Sequence, residues 1–126
     1  DNIEKETDLL HFEQELNDRF GPLPTQVHGM MEVVRLRWIA LKLGFQRIVI
    51  KNKSFIGYFP VDQQSVFYQS RIFSGIISYR QKSPGKVMLK EHNNKLNLRI
   101  RDIKDIYTIR TLLENIHQTI ISMNEG

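Results

Sequence analysis

Gly21-Pro22-Leu23-Pro24 is a corner that no helix crosses. Proline fixes φ, lacks an amide donor and drives the residue before it out of the helical region. Whatever lies on either side must be two separate elements. Thr25 is placed to cap a new helix through its side-chain oxygen. Gly44 is the expected stop, because glycine accepts the left-handed conformation just past a helix end. Between them stand Val27, Met30, Met31, Val33, Val34, Leu36, Trp38, Ile39, Ala40, Leu41 and Leu43. At about 100° per residue they leave a narrow polar stripe of His28, Glu32, Arg35 and Lys42. Such a pattern predicts a spine helix with other elements on most of its sides.

On the near side of the corner, Ile3 to Phe20 reads as a first helix, with Leu9, Leu10, Phe12, Leu16 and Phe20 near helical spacing and acids crowding its start. Its first turn offers only Ile3 to bury and is expected to fray. Beyond Gly44, 45–51 and 54–59 are β-rich and flank an Asn52-Lys53 turn, which predicts a hairpin closed by Pro60. Residues 62–69 fit a short strand or an ordered loop. Ser70 is placed to cap a third helix that stops at Ser83-Pro84-Gly85. Lys86 to Lys90 and Lys95 to Arg101 then flank Glu91-His92-Asn93-Asn94 as a second hairpin. In its later arm Leu96, Leu98 and Ile100 point one way and Lys95, Asn97, Arg99 and Arg101 the other, so one face is buried and one basic. Asp102 is the expected cap of a last helix over 103–122, with Ile106, Ile109, Leu113, Ile116 and Ile120 as its core stripe; 124–126 is a tail. The class is therefore α+β, about four helices packed with a small antiparallel sheet built from hairpins. Residues 1–24 form a lead-in helix and corner, and 25–126 the α+β domain proper.

A chain of 126 residues has room for one core. It has no cysteine, which removes disulfides, thiolate metal sites and cysteine nucleophiles, and fits a reducing compartment. No apolar run approaches the ~20 residues that span a bilayer, so no membrane partner is expected. The start has neither an initiator Met nor a signal pattern, which suggests a piece of a longer protein. His11, His28, His92 and His117 lie far apart with no metal-binding spacing. His117, at the rim of the last helix's apolar stripe, reads as a half-buried structural histidine, and His92 as a solvated hairpin tip. There is no Gly-x-Ser-x-Gly elbow. Gly85-Lys86 resembles the end of a phosphate-binding loop, but Arg80 stands where that loop needs glycine and Val87 where it needs Ser or Thr. The pairs Glu13/Glu15 and Asp102/Asp105 sit near expected helix starts, where capping and the dipole explain them. No catalytic, cofactor or metal site emerges.

Charge is distributed unevenly behind the net +4: residues 1–18 hold seven acids against one lysine, and residues 80–110 nine basic residues against three acids. That asymmetry suits an electrostatic partner for one end, or ends that offset each other within the fold. The candidate docking residues are Lys86, Lys90, Lys95, Arg99 and Arg101 on the second hairpin, with the acidic first helix a further candidate. Ile39 is added because it falls at the centre of the spine helix's polar stripe, where it docks a partner, is incidentally exposed or is covered by the first helix. Nucleic acid is the rival partner for the hairpin. A sheet that reads it needs aromatic residues for stacking, and none lies between Lys86 and Arg101.

Glu13-Gln-Glu-Leu-Asn-Asp-Arg-Phe-Gly-Pro-Leu-Pro24, followed by Val33-Val-Arg-Leu-Arg37 and Leu41-Lys-Leu-Gly44, resembles the C-terminal domain of bacterial transcription-repair coupling factors. The specific match spans roughly residues 13 to 50; past Lys51 only the order of elements is similar. The resemblance implies a bacterial, cytoplasmic, multidomain ATP-driven DNA translocase that displaces stalled RNA polymerase and recruits UvrA for excision repair. This chain would follow the motor and carry no ATPase motif. The implied role is regulatory: docking on the UvrB-like N-terminal module of the same polypeptide, hiding the UvrA-binding surface and restraining the motor. UvrA, RNA polymerase and DNA are then indirect partners, and no contact residues transfer from the family.

Overall fold

The computed structural model describes residues 3–123, and an α+β architecture results. In chain order the elements are α1 (Glu6–Phe20), α2 (Thr25–Lys42), β1 (Arg47–Lys51), β2 (Ser54–Tyr58), a 3-10 turn (Val66–Gln69), α3 (Arg71–Lys82), β3 (Met88–His92), β4 (Lys95–Ile100) and α4 (Ile106–Met123). The strands form one antiparallel sheet in the order β1-β2-β4-β3, two hairpins joined through β2 and β4. Both hairpin tips put two residues at positive φ, Asn52 and Lys53 at 54° and 58°, Asn93 and Asn94 at 52° and 61°. This is the two-residue turn whose twist matches that of paired strands. The tail expected at 124–126 lies outside the described residues.

Several boundaries move, each for a local reason. α1 starts at Glu6, not Ile3, with Lys5 extended at the cap and no side-chain cap. Thr25 does not cap α2. Pro24 holds that position in extended conformation, and its carbonyl accepts from the Val27 amide at 3.0 Å. The other end of α2 closes as expected: the Gly44 amide donates to the Leu41 carbonyl and the Phe45 amide to that of Ala40, both at 3.0 Å, with Gly44 at φ 91°. That pair of bonds is the Schellman cap. Ser70 caps α3 by accepting from the Phe73 amide at 3.2 Å. Residues 62–69 contain no strand; Ser65 accepts from the Phe67 amide and starts the 3-10 turn. β3 begins two residues late, because the Lys86 amide turns back to the Ser83 carbonyl and Val87 drops into the core.

α4 starts at Ile106, and Asp102 is not its cap. Asp102 sits at φ 58°, and the Ile103 amide donates to the Lys53 carbonyl at 2.9 Å, tying this segment to the first hairpin's tip. Asp105 caps instead: one carboxylate oxygen accepts from the Thr108 amide at 2.8 Å and from its hydroxyl at 2.6 Å. Those hydrogen bonds hold the Asp105 carboxyl below its usual range.

The core lies between one face of the sheet and α2, α3 and α4. Phe55, Leu98 and Ile100 from the central strands meet Leu36, Ala40 and Leu43 of α2, Ile76 of α3, and Ile109, Leu113, Ile116 and Ile120 of α4. Rings line one end of it: Phe45, Phe59, Phe67 and Phe73 stack or cross at centroid distances of 5.0 to 5.7 Å. Phe45 fits only because residue 57 is glycine; a Cβ there would come within 2.5 Å of its ring. His117 is half-buried, and burial together with the Lys42 charge lowers its pKa, so it stays neutral near pH 7.

The spine helix is turned round from its expected orientation. Met30 and Leu41 are 68% and 71% exposed, whereas Met31, Leu36, Ile39 and Ala40, which straddle the polar stripe, are buried. His28 and Lys42 at the two ends of the stripe are exposed, but its middle faces inward because Glu32 and Arg35 have partners. Glu32 accepts from Arg110 of α4 and from Arg35, and Arg35 also reaches Glu6 of α1.

Candidate functional site: the open face of the sheet

Strand alternation sends one set of side chains into the core and leaves the other on a face that no helix covers. Cross-strand register lays that second set out in rows, since directly opposed residues share a face. One row runs Arg47, Tyr58, Asn97, Lys90 across β1, β2, β4 and β3. The next runs Val49, Ile56, Arg99, Met88, and Lys95 with His92 closes the end nearest the second hairpin's tip. Arg47, Lys51, Lys90, His92 and Lys95 are exposed; Tyr58 and Arg99 are half-buried. No acid stands in these rows. Glu91, the acid of β3, pairs with Leu96 and so belongs to the opposite face.

Geometry within the face is ordered. The Arg47 guanidinium lies 5.1 Å from the centroid of the Tyr58 ring, in range for a cation–π contact. Asn97, 1% exposed, accepts through Oδ1 from Arg99 Nε at 3.0 Å, which fixes the guanidinium over the sheet. A pocket of about 250 Å³ opens between them, lined by Arg47, Tyr58, His92, Lys95, Asn97 and Arg99 among others. None of the ion pairs among the described residues involves Arg47, Lys51, Lys90, Lys95 or Arg99. All but the half-buried Arg99 stand in solvent, where a surface of one sign raises the local concentration of anions.

Of the residues singled out from sequence, the structure gathers Lys90, Lys95 and Arg99 on this face. Lys86 and Arg101 are exposed but lie beyond the last paired residues, Met88 and Arg99, at the hairpin's open end. Ile39 is not on the surface at all. It is 5% exposed and part of the core, because the polar stripe around it is the side of α2 that packs on α4. Arg47, Lys51 and Tyr58 were missed. Their signal was present as the alternation of 47–51 and 54–58, but nothing in the sequence says that β2 and β4 are the strands through which the two hairpins join.

The acidic start of the chain is used differently. Arg35 donates to both Glu6 carboxylate oxygens, at 3.0 and 2.8 Å, and Arg110 to Glu32 at 2.7 to 3.0 Å and to Glu114 at 3.0 Å. Five charges thus clasp α1 onto α2 and α4, and Leu9 is the residue α1 buries. Hydrogen bonds from Arg35 hold the Glu6 carboxyl below its usual range, against the opposing effect of burial and aided by the Arg35 and Arg110 charges. A lowered folded-state value means the contribution is present above the unfolded carboxylate range, near pH 4.3 for a glutamate, and is lost as pH falls through the folded value. Amide protection factors in α1 should therefore fall between pH 6 and pH 3 while those of the α4 core hold. Glu6→Gln should produce the same loss at pH 7 at a global cost under about 1 kcal/mol, because this carboxylate is half-exposed. Unchanged α1 protection under both tests would refute the clasp.

Among the described residues no three His, Asp or Glu side chains gather to hold a metal ion, and no helix is long and apolar enough to cross a membrane. The family model of the TRCF domain matches residues 1–70. The crystal structure of the C-terminal domain of a transcription-repair coupling factor is similar in fold, with TM-score 0.70 and 20% identity over 98% of this chain and 75% of that one. No curated protein matches the sequence.

Proposed function

The chain belongs to the TRCF domain family, and on that premise we propose that it is the non-catalytic regulatory end of a transcription-repair coupling factor, a bacterial cytoplasmic DNA translocase that displaces stalled RNA polymerase and recruits UvrA. In this reading residues 1–24 lead in from the motor, and 25–126 dock on the UvrB-like N-terminal module of the same polypeptide. Docking restrains the motor and covers the surface that UvrA needs.

One observation carries the reading: the second hairpin presents Lys90, Lys95 and Arg99 with no ion-pair partner among the described residues, flanked by exposed Lys86 and Arg101. A latch must hold in one state and let go in another. Charged, solvated contacts suit that cycle, since two parts of one polypeptide meet at high effective concentration and need little intrinsic affinity. The complementary surface on the N-terminal module is then acidic.

Reversing Lys95, Arg99 and Arg101 to glutamate in the full-length protein should raise basal ATPase roughly fivefold or more and make UvrA binding constitutive, the size expected of a typical coupling between sites. Basal ATPase and UvrA binding both at the wild-type level would reject docking through this hairpin.

A further inference from the structure

The two central strands and their neighbours bring together what neither hairpin shows alone: an aromatic ring inside an unneutralised cationic face. Tyr58 stands on β2, directly across from Asn97 on β4, with Arg47 over its ring and Arg99 held by Asn97. Lys90 and Lys95 flank them, with Lys51 farther off at the first hairpin's tip, all exposed and without an ion pair among the described residues. From this juxtaposition we propose that the open face binds single-stranded nucleic acid, with a base extending the Arg47–Tyr58 stack into the pocket and phosphates lying along Lys90, Lys95 and Arg99.

Three features favour this occupant over an acidic protein segment. A carboxylate-bearing partner needs cations but has no use for a ring beneath a guanidinium, whereas every base has a π-face that stacks on such a pair. The pocket, at about 250 Å³, is walled by ring, guanidinium and amide groups, groups that stack on a base and hydrogen-bond its edge. Cations line both sides of the ring, Arg47 on β1 and, beyond β2, Lys90 on β3 and Lys95 on β4, so a backbone crossing the sheet meets positive charge before and after the stacked base. A duplex is excluded from the pocket itself, because its bases are already stacked and paired.

This inference goes beyond docking and does not rest on it. The two share Lys90, Lys95 and Arg99, so a docked domain cannot hold a strand and an undocked one can. Arg47 and Tyr58 separate them, being outside the docking set.

The test uses the 126-residue chain and a fluorescein-labelled twelve-nucleotide oligothymidylate, followed by anisotropy at 50 and 200 mM salt. Binding should be measurable at 50 mM and weaken steeply at 200 mM, as phosphate neutralisation requires. Tyr58→Ala should weaken it about tenfold, the loss of one stacked base, while Tyr58→Phe binds like wild type. Lys90→Glu should flatten the salt dependence. Tyr58 is half-exposed, and melting curves of Tyr58→Ala and Lys90→Glu would show that each remains folded. Four results would overturn the proposal: no binding at 50 mM, equal binding by Tyr58→Ala, a duplex of the same length bound as tightly, or poly-glutamate of equal charge bound as tightly. The last assigns the face to an acidic protein. None of the four touches the ATPase test of docking, which is read in the full-length protein.

Discussion

Gly44→Ala should cost the domain about 3 kcal/mol and lower its melting temperature by about 10 °C. Two separate penalties add there. The cap at the end of α2 requires residue 44 at φ 91°, where a side chain is strained by about 1 kcal/mol. A Cβ at that position would also fall onto ring carbons of Phe67, and that ring is itself stacked on Phe59 at a centroid distance of 5.4 Å. Moving it disturbs the aromatic end of the core, which puts the second penalty in the range of about 1–3 kcal/mol for overpacking. Gly85→Ala is the control. Gly85 has a similar φ, 84°, but open space where the Cβ would go, so it should show the strain alone, about 1 kcal/mol. Equal losses in the two variants, measured by urea denaturation, would mean that the ring contact contributes nothing.

Phe55→Ala should be more damaging still, at about 4 kcal/mol. Phe55 is 0% exposed on a central strand, and its ring meets that of Phe45 edge-on at 5.7 Å. Truncation removes its transfer free energy and leaves a cavity between sheet and helices. Full collapse is blocked, because Phe45 already occupies the space above Gly57. Against a total stability of about 5–15 kcal/mol, that loss removes roughly a quarter to four-fifths of it. Phe55→Leu keeps most of the volume and should cost about 1–1.5 kcal/mol. A loss below about 1 kcal/mol for the alanine variant would show that the sheet and helices do not share this core.

Legibility from sequence followed the range of the interaction. The Gly-Pro corner, the glycine cap of α2, the serine cap of α3, the Asn52-Lys53 turn and the apolar stripe of α4 are all decided within a few residues, and the structure has each of them. The failures sit where a distant partner competes. Asp102 carries a good cap residue's side chain, yet the Lys53 carbonyl captures the next amide and passes the cap to Asp105. Ile39 stands in a polar stripe, yet lies in the core because Glu6 and Arg110 bring countercharges to Arg35 and Glu32 from other helices.

The candidate surface divides the same way. Alternation in 95–101 was enough to show that the second hairpin has a basic side. It could not show that β2 lies beside β4, which is what sets Tyr58 against Asn97 and extends the face to Arg47 and Lys51.

By itself, then, the sequence determined the kind and order of the helices and strands, the ends closed by Gly44 and Ser70, and the family to which its first 70 residues belong. Only the tertiary structure decided which side of α2 is inward and which residues share the open face. Hydrophobic periodicity reports that a side chain is charged, not whether an opposite charge waits for it across the fold. Ion pairs between helices and cross-strand neighbours are long-range choices, and the chain makes them only on closing.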